Sequence, residues 1–171
     1  MDEKIFKTLN YYDGIAKGYK ELYHNEQKQK ILHIISYLPK NGRILDLGSG
    51  DGVFNEFVSS KVDLISVDLS FELLKLNNNF NNRINASILK LPFKSNYFEF
   101  IVSFSVLQDL PDVETGVCEI YRVLKKDGIL IVSFLHMSLK SQNLLNLIEE
   151  RFELIEKIKE EKDWILVVKK K

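Results

Sequence analysis

Cysteine is nearly missing: Cys118 stands alone among 171 residues, so no disulfide can form within the chain. Net charge is missing as well. Lys and Arg number 24 against 24 Asp and Glu, which leaves no global field to draw the molecule onto nucleic acid or an anionic membrane. His24, His33 and His136 are scattered without ligand spacing, and no metal site is expected. No apolar run approaches the ~18 to 20 residues that a bilayer span requires. Even ILIVSFL at residues 129–135 stops far short. The opening MDEKIFKTLNYYD lacks the apolar stretch of a secretory signal, so a soluble cytoplasmic protein is the expectation.

What is present is 45% hydrophobic residues, enough for one ordinary core and too little chain for a second full domain. One domain over 1–171 is expected, with 1–38 as an N-terminal lid segment and helix and 43–171 as the core. Residues 1–24, rich in Tyr and Lys with Gly14 and Gly18, read as a loosely organised lead-in. Ile31, Ile34, Ile35 and Leu38 recur at helical spacing until Pro39 and Gly42 end the pattern. A strand is predicted over 43–47, then a glycine-rich turn and a short helix carrying Val53, Phe54, Phe57 and Val58. A second strand over 63–69 leads to Ser70 as N-cap of a helix bearing Leu73, Leu74 and Leu76, closed by NNNFNN. Further strands are predicted near 83–88, over 98–104 and over 129–134, the last two with the continuous apolar character of strands buried on both faces. Helices are predicted over 113–124 and around 143–148, with a turn at 125–128. This alternation argues for a parallel α/β sheet with helices on both faces. Residues 152–158 and 164–168, flanking KEEKD, read as a hairpin at the sheet edge, and 169–171 as a solvated tail. Cys118, among apolar helix positions, reads as buried packing.

The stretch ILDLGSGDG at 44–52 carries the most information. Glycines just past a buried strand allow a sharp turn and a close backbone approach to a ligand, at the strand ends where open α/β sheets bind. The spacing is G-x-G-x-G, with Val53 where a dinucleotide loop wants its third glycine, which weakens a nicotinamide reading. Asp46, at the end of an interior strand, is costly unless it has a polar duty: fixing the loop amides or receiving an ammonium, directly or through water. Asp68 ends the second strand 16 residues after Gly52, where a carboxylate accepts both hydroxyls of a ribose. The bland alternative is a turn followed by a surface aspartate.

ILDLGSGDG, VDLSFELL (67–74), LPFKSNYFEFIVSFSVLQDLPD (91–112) and EIYRVLKKDGILIVSF (119–134) together resemble class I S-adenosylmethionine-dependent methyltransferases with a methyltransferase type 11 domain. The likeness is especially to the branch that includes ubiquinone and menaquinone biosynthesis methylases, and the lead-in YYDGIAKGYKELY (11–23) resembles that branch's opening segment. The resemblance implies a Rossmann-like, doubly wound, mostly parallel seven-stranded sheet with an antiparallel C-terminal hairpin and helices on both faces. It implies S-adenosylmethionine as cofactor and S-adenosylhomocysteine as product. Carried over by position, Asp46 with Gly48, Ser49 and Gly50 holds the methionine end, and Asp68 the ribose, with Leu69 beside adenine. Ser87 and Ile88 stand where the family commonly has an acid for the adenine amino group. The Ser103 carbonyl meets the methionine ammonium, and Tyr12 and Tyr19 close over the carboxylate.

Gln108 and Asp109 stand where this branch often has two histidines. They read as a helix-start pair facing solvent, with orientation of an acceptor as the alternative, and no catalytic base is assigned. The sulfonium donor is already activated, so methyl transfer to an unidentified acceptor needs mainly in-line positioning. The rival to an active enzyme is a non-catalytic cofactor-binding subunit. With little room for inserted lids, the site is expected to be open, serving a large acceptor or a small one enclosed with the help of a partner chain.

Overall fold

The computed structural model describes residues 3–78 and 82–171, and within them seven strands form one sheet. In chain order they are β1 (Gly42–Leu47), β2 (Val62–Asp68), β3 (Arg83–Asn85), β4 (Phe98–Phe104), β5 (Leu124–Leu135), β6 (Phe152–Lys159) and β7 (Asp163–Lys170). Across the sheet the order is β3-β2-β1-β4-β5-β7-β6. The first five pair in parallel, while β7 runs antiparallel between β5 and β6. The mostly parallel, Rossmann-like sheet with an antiparallel C-terminal hairpin is thus the observed fold. The winding reverses between β1 and β4, and a switch of this kind opens a crevice at the carboxyl ends of the strands.

Alternation along the strands sorts side chains into two cores. Leu45, Leu47, Ile101, Leu130, Val132, Leu166 and Val168 share one face with residues of α4 (Val113–Val123) and α5 (Ser141–Arg151). Ile44, Phe100, Val102, Ile131, Ile165 and Val167 share the other with Ile31, Ile34, Val53 and Phe54. Each fully buried aliphatic side chain contributes about 1.5–3 kcal/mol. The helices are set by local chemistry. Asp112 caps α4 by accepting from the Thr115 amide at 3.0 Å, and Ser70, the N-cap the sequence predicts, caps α3 (Phe71–Leu76) by accepting from Leu73 N at 3.1 Å. No helix of the described residues is long and apolar enough to cross a membrane.

Several local expectations fail for physical reasons. The lead-in is ordered as α1 (Glu3–Ile15), a 3-10 turn (Ala16–Gly18) and the start of α2 (Tyr19–His33). Ring contacts outweigh the glycines there, with Tyr19 and Tyr23 centroids 5.1 Å apart on successive turns. Residues 53–58 form only a 3-10 turn, Val53–Glu56, because Val53 and Phe54 must plunge into the core within a few residues of Gly52. The third strand stops at Asn85. Residues 125–128 lie inside β5 as a bulge, since the register steps from Phe98 opposite Leu124 to Phe100 opposite Ile129. Cys118 is exposed, because the buried stripe of α4 runs through Val113, Val117, Ile120 and Val123. The expected solvated tail is mostly strand. Lys170 Nζ donates to the carbonyls of Tyr121 and Leu124, each at 2.6 Å. Of the NNNFNN segment, residues 79–81 lie outside the described residues.

Candidate functional site

β1 carries Asp46 and Leu47 to the crevice, and the chain turns there through left-handed glycines, Gly48 at φ +71°, Gly50 at φ +54° and Gly52 at φ +81°. At Gly48 the close approach also demands glycine, since a Cβ would stand 2.2 Å from Val106 Cγ2. The loop amides do not turn to Asp46. Gly48 N and Ser49 N donate to Val67 O at 2.8 and 3.1 Å, and Gly50 N donates to Asp68 Oδ2 at 2.9 Å. Of the two duties the sequence allows Asp46, fixing the loop therefore falls to Asp68.

Asp46 is 3% exposed and its Oδ2 has no hydrogen-bond partner. Burial first, then the charges of Asp68 and Asp51, push its carboxyl up to about 8. Asp68 is pushed by burial only to about 6, because the amides of Gly50 and Ser70 hold it down. The Ser70 amide reaches Asp68 Oδ1 at 2.8 Å. A carboxylate has about four lone-pair sites, so Asp68 keeps capacity for hydroxyl donors. Asn85, which the sequence reading passed over, braces this corner by donating to the carbonyls of Asp68 and Leu69 at 3.0 and 2.8 Å.

A cavity of about 650 Å³ lies over this turn, within the ~300–1,000 Å³ usual for small-molecule sites. Its walls include Gly48, Asp68, Leu69, Ser87 and Ile88, together with Tyr12 and Tyr19 from α1 and α2, and it is neither enclosed nor flat. The Tyr19 ring stands against Gly50, where a Cβ would lie 3.2 Å from its hydroxyl. Ser87 Oγ accepts from Leu89 N at 3.2 Å. Ser103 is wholly buried, its hydroxyl donating to Leu47 O at 3.1 Å. The solvent-facing reading holds for Asp109, which is exposed, and not for Gln108, which is half-buried; both line the cavity. Tyr12 donates to Asp109 Oδ2 at 2.8 Å, while Gln108 Nε2 donates to Ser105 O at 3.1 Å. After β4 the chain turns at Ser105, left-handed at φ 58°, into a 3-10 turn over Leu107–Asp109.

Sequence reasoning missed the cluster beneath the floor. Lys30 of α2 and Asp163 of β7, both 0% exposed, form an ion pair. Lys30 also donates to Ser105 Oγ at 2.7 Å and to Glu26 at 2.8 Å. Ser105, itself left-handed at φ 58°, donates through its hydroxyl to Asp163 Oδ2 at 3.0 Å and through its amide to Ser133 O at 3.0 Å. These partners come from remote parts of the chain, and only Lys30 carried a signal, as a charge inside an apolar helical stripe. A second tie joins α1 to the crevice, with Ser70 Oγ donating to Asp13 at 2.5 Å.

An orphaned buried carboxylate, two side-chain-free turn positions and a second acid with spare acceptor capacity fit a ligand bearing an ammonium and a ribose. The comparisons agree. The profile of the family described as "Methyltransferase domain" matches residues 45–132, just over half of the chain. An uncharacterised protein of Methanocaldococcus jannaschii, MJ1252, is 34% identical over 125 residues, covering 71% of this chain and 49% of its own length. The ubiquinone/menaquinone biosynthesis C-methyltransferase of Geotalea daltonii is 32% identical over 152 residues, covering 77% of this chain and 64% of that one. The chain thus spans about half to two thirds of the length of these relatives. Among solved structures, the N-methyltransferase NodS of Bradyrhizobium japonicum in complex with S-adenosylhomocysteine superposes with a TM-score of 0.72 at 14% identity. That match covers 86% of this chain and 88% of NodS. By the family profile, with the fold in agreement, this chain belongs to the methyltransferase-domain family.

Proposed function

We propose that this chain transfers a methyl group in line from S-adenosylmethionine, seated over the 48–52 turn, to an acceptor admitted beside Asp109. The observation that carries this reading is Asp46 Oδ2, a buried carboxylate oxygen with no protein partner. A fixed ammonium is the group that would return it to an ordinary ionised acid. In this reading Asp46 receives the methionine ammonium, aided by the Ser103 carbonyl, and Gly48, Ser49 and Gly50 let the methionine end lie against the backbone. Asp68 accepts the ribose hydroxyls. Leu69, Ser87 and Ile88 flank adenine, and Tyr12 and Tyr19 close from above.

When bound, the cofactor supplies a methyl group already activated on a sulfonium. The chain's own work is to bind, orient and exclude water, and a near-attack geometry accounts for roughly 7–11 kcal/mol of such a barrier. We read residues 43–171 as the Rossmann-like core and 1–38 as its cover, within one cytoplasmic methyltransferase domain. The partly open cavity suits either a large acceptor or a small one enclosed with a partner chain.

Calorimetric titration with S-adenosylhomocysteine, which keeps the ammonium and the ribose, tests the reading. The expected result is saturable one-to-one binding that Asp46→Asn weakens by about tenfold or more, the loss of a charge-assisted contact. Absence of binding by both adenosyl compounds would overturn it.

A further inference from the structure

The aromatic side of the cavity, which runs from the glycine turn to α1, has a chemistry of its own. Four tyrosines gather there: the rings of Tyr11 and Tyr12 are 5.2 Å apart, Tyr12 and Tyr19 6.4 Å, and Tyr19 and Tyr23 5.1 Å. Two further carboxylates besides Asp68, Glu26 and Asp109, line the same cavity. The described lysines on the lining, Lys7 and Lys162, are engaged by Glu3 at 2.7 Å and Glu26 at 3.5 Å. Aromatic faces beside a carboxylate attract cations; Glu26 is already paired with Lys30 and Lys162, so the like charge an anionic acceptor would meet is that of Asp109. The tyrosines register the same field: desolvation, Asp109 for Tyr12, and Asp68 and Asp51 for Tyr19, all raise their hydroxyls above the ordinary range. Asp46 and Asp68 already have the ammonium and ribose of the cofactor to serve, whereas Asp109 is bound only at one oxygen by Tyr12 and keeps acceptor capacity.

Resting on the methyl-transfer reading, we propose that the acceptor is a basic amine, held among the tyrosines, and that Asp109 is the catalytic residue that takes its proton. The amine arrives as an ammonium and donates a proton to the Asp109 carboxylate. The freed nitrogen lone pair forms the new bond to the methyl carbon as the carbon–sulfur bond breaks, its electron pair remaining on sulfur. The product nitrogen carries the positive charge, and Asp109 returns its proton to water.

The test needs no turnover. Protein saturated with S-adenosylhomocysteine is titrated with phenethylamine and butylamine, each set against its neutral counterpart, phenethyl alcohol and butanol, and against phenylacetate. The expected result is an amine bound about tenfold or more tighter than its alcohol, the difference a charge-assisted hydrogen bond makes, with phenylacetate weakest. Asp109→Asn is expected to erase that preference. Equal affinities, a preference for alcohol or anion, or no amine binding at all would overturn the proposal, and the wild-type comparison decides this even if the variant fails to fold. Failure of S-adenosylhomocysteine itself to bind would instead overturn the methyl-transfer reading beneath it.

Discussion

At the scale of single residues, Asp46 makes the ligand-free protein sensitive to pH. Its folded value of about 8 lies above the ordinary 3.8, and a raised acid favours the folded state only while protonated. Its contribution is therefore fully present below about pH 4 and is lost as pH climbs toward 8. Asp68 adds the same trend up to about 6. Asp46→Asn is expected to raise the ligand-free Tm near pH 8 by roughly 5 °C, a few kcal/mol at this chain length, with most of the gap closed near pH 5. Scanning calorimetry at both pH values checks this, and a variant less stable than wild type at pH 8 would contradict it. Gly48→Ala combines a left-handed φ with a Cβ 2.2 Å from Val106, and a loss of about 2–4 kcal/mol is expected in urea unfolding. Adding Val106→Ala should restore only the part due to the clash. The glycines and both acids were legible in the sequence, because a turn after a strand is a local event. The partner of each carboxylate was not: Asp68 takes the loop amide and Asp46 takes nothing, and only tertiary placement decides that.

At the scale of elements, α2 is pinned to β7 by Lys30 and Asp163, which form one buried pair. Removing one member leaves the other charged and buried, so Lys30→Met is expected to cost about 3–5 kcal/mol in urea unfolding. Lys30→Met with Asp163→Leu should recover much of that, because no orphaned charge remains. α1 is different: none of its residues is buried, and it reaches the crevice through polar ties such as Asp13 to Ser70 and Tyr12 to Asp109. A chain lacking residues 1–15 is expected to melt within about 3 °C of the full chain, as a weakly buried element should. Its affinity for S-adenosylhomocysteine should fall about tenfold or more in calorimetry, and an unchanged affinity would exclude α1 from the site. Apolar periodicity located α4, α5 and the long strands, since each buries a stripe that repeats in the sequence. It failed for α1, whose helix carries no core stripe, and for residues 53–58, where two core side chains are reached without a helix.

At the scale of the whole molecule, the order β3-β2-β1-β4-β5-β7-β6 places the ends of β1, β2 and β4 side by side, so Asp46, Asp68 and the Ser105–Asp109 turn converge although 63 residues separate the first from the last. Strand and helix alternation foretold that sheet. It did not foretell that the last strand is fastened by Lys170 to the carbonyls at the end of α4, because a terminal lysine has the same sequence signature whether buried or solvated. Two acids and a bare turn converge at the crevice, and the ligand proposed for them is one adenosyl amino acid. A crystal soaked with S-adenosylhomocysteine tests that assignment directly: the account predicts the ligand's ammonium within hydrogen-bond distance of Asp46 and its ribose hydroxyls on Asp68. Ligand bound elsewhere, or seated in the crevice with both acids turned away from it, would contradict the account.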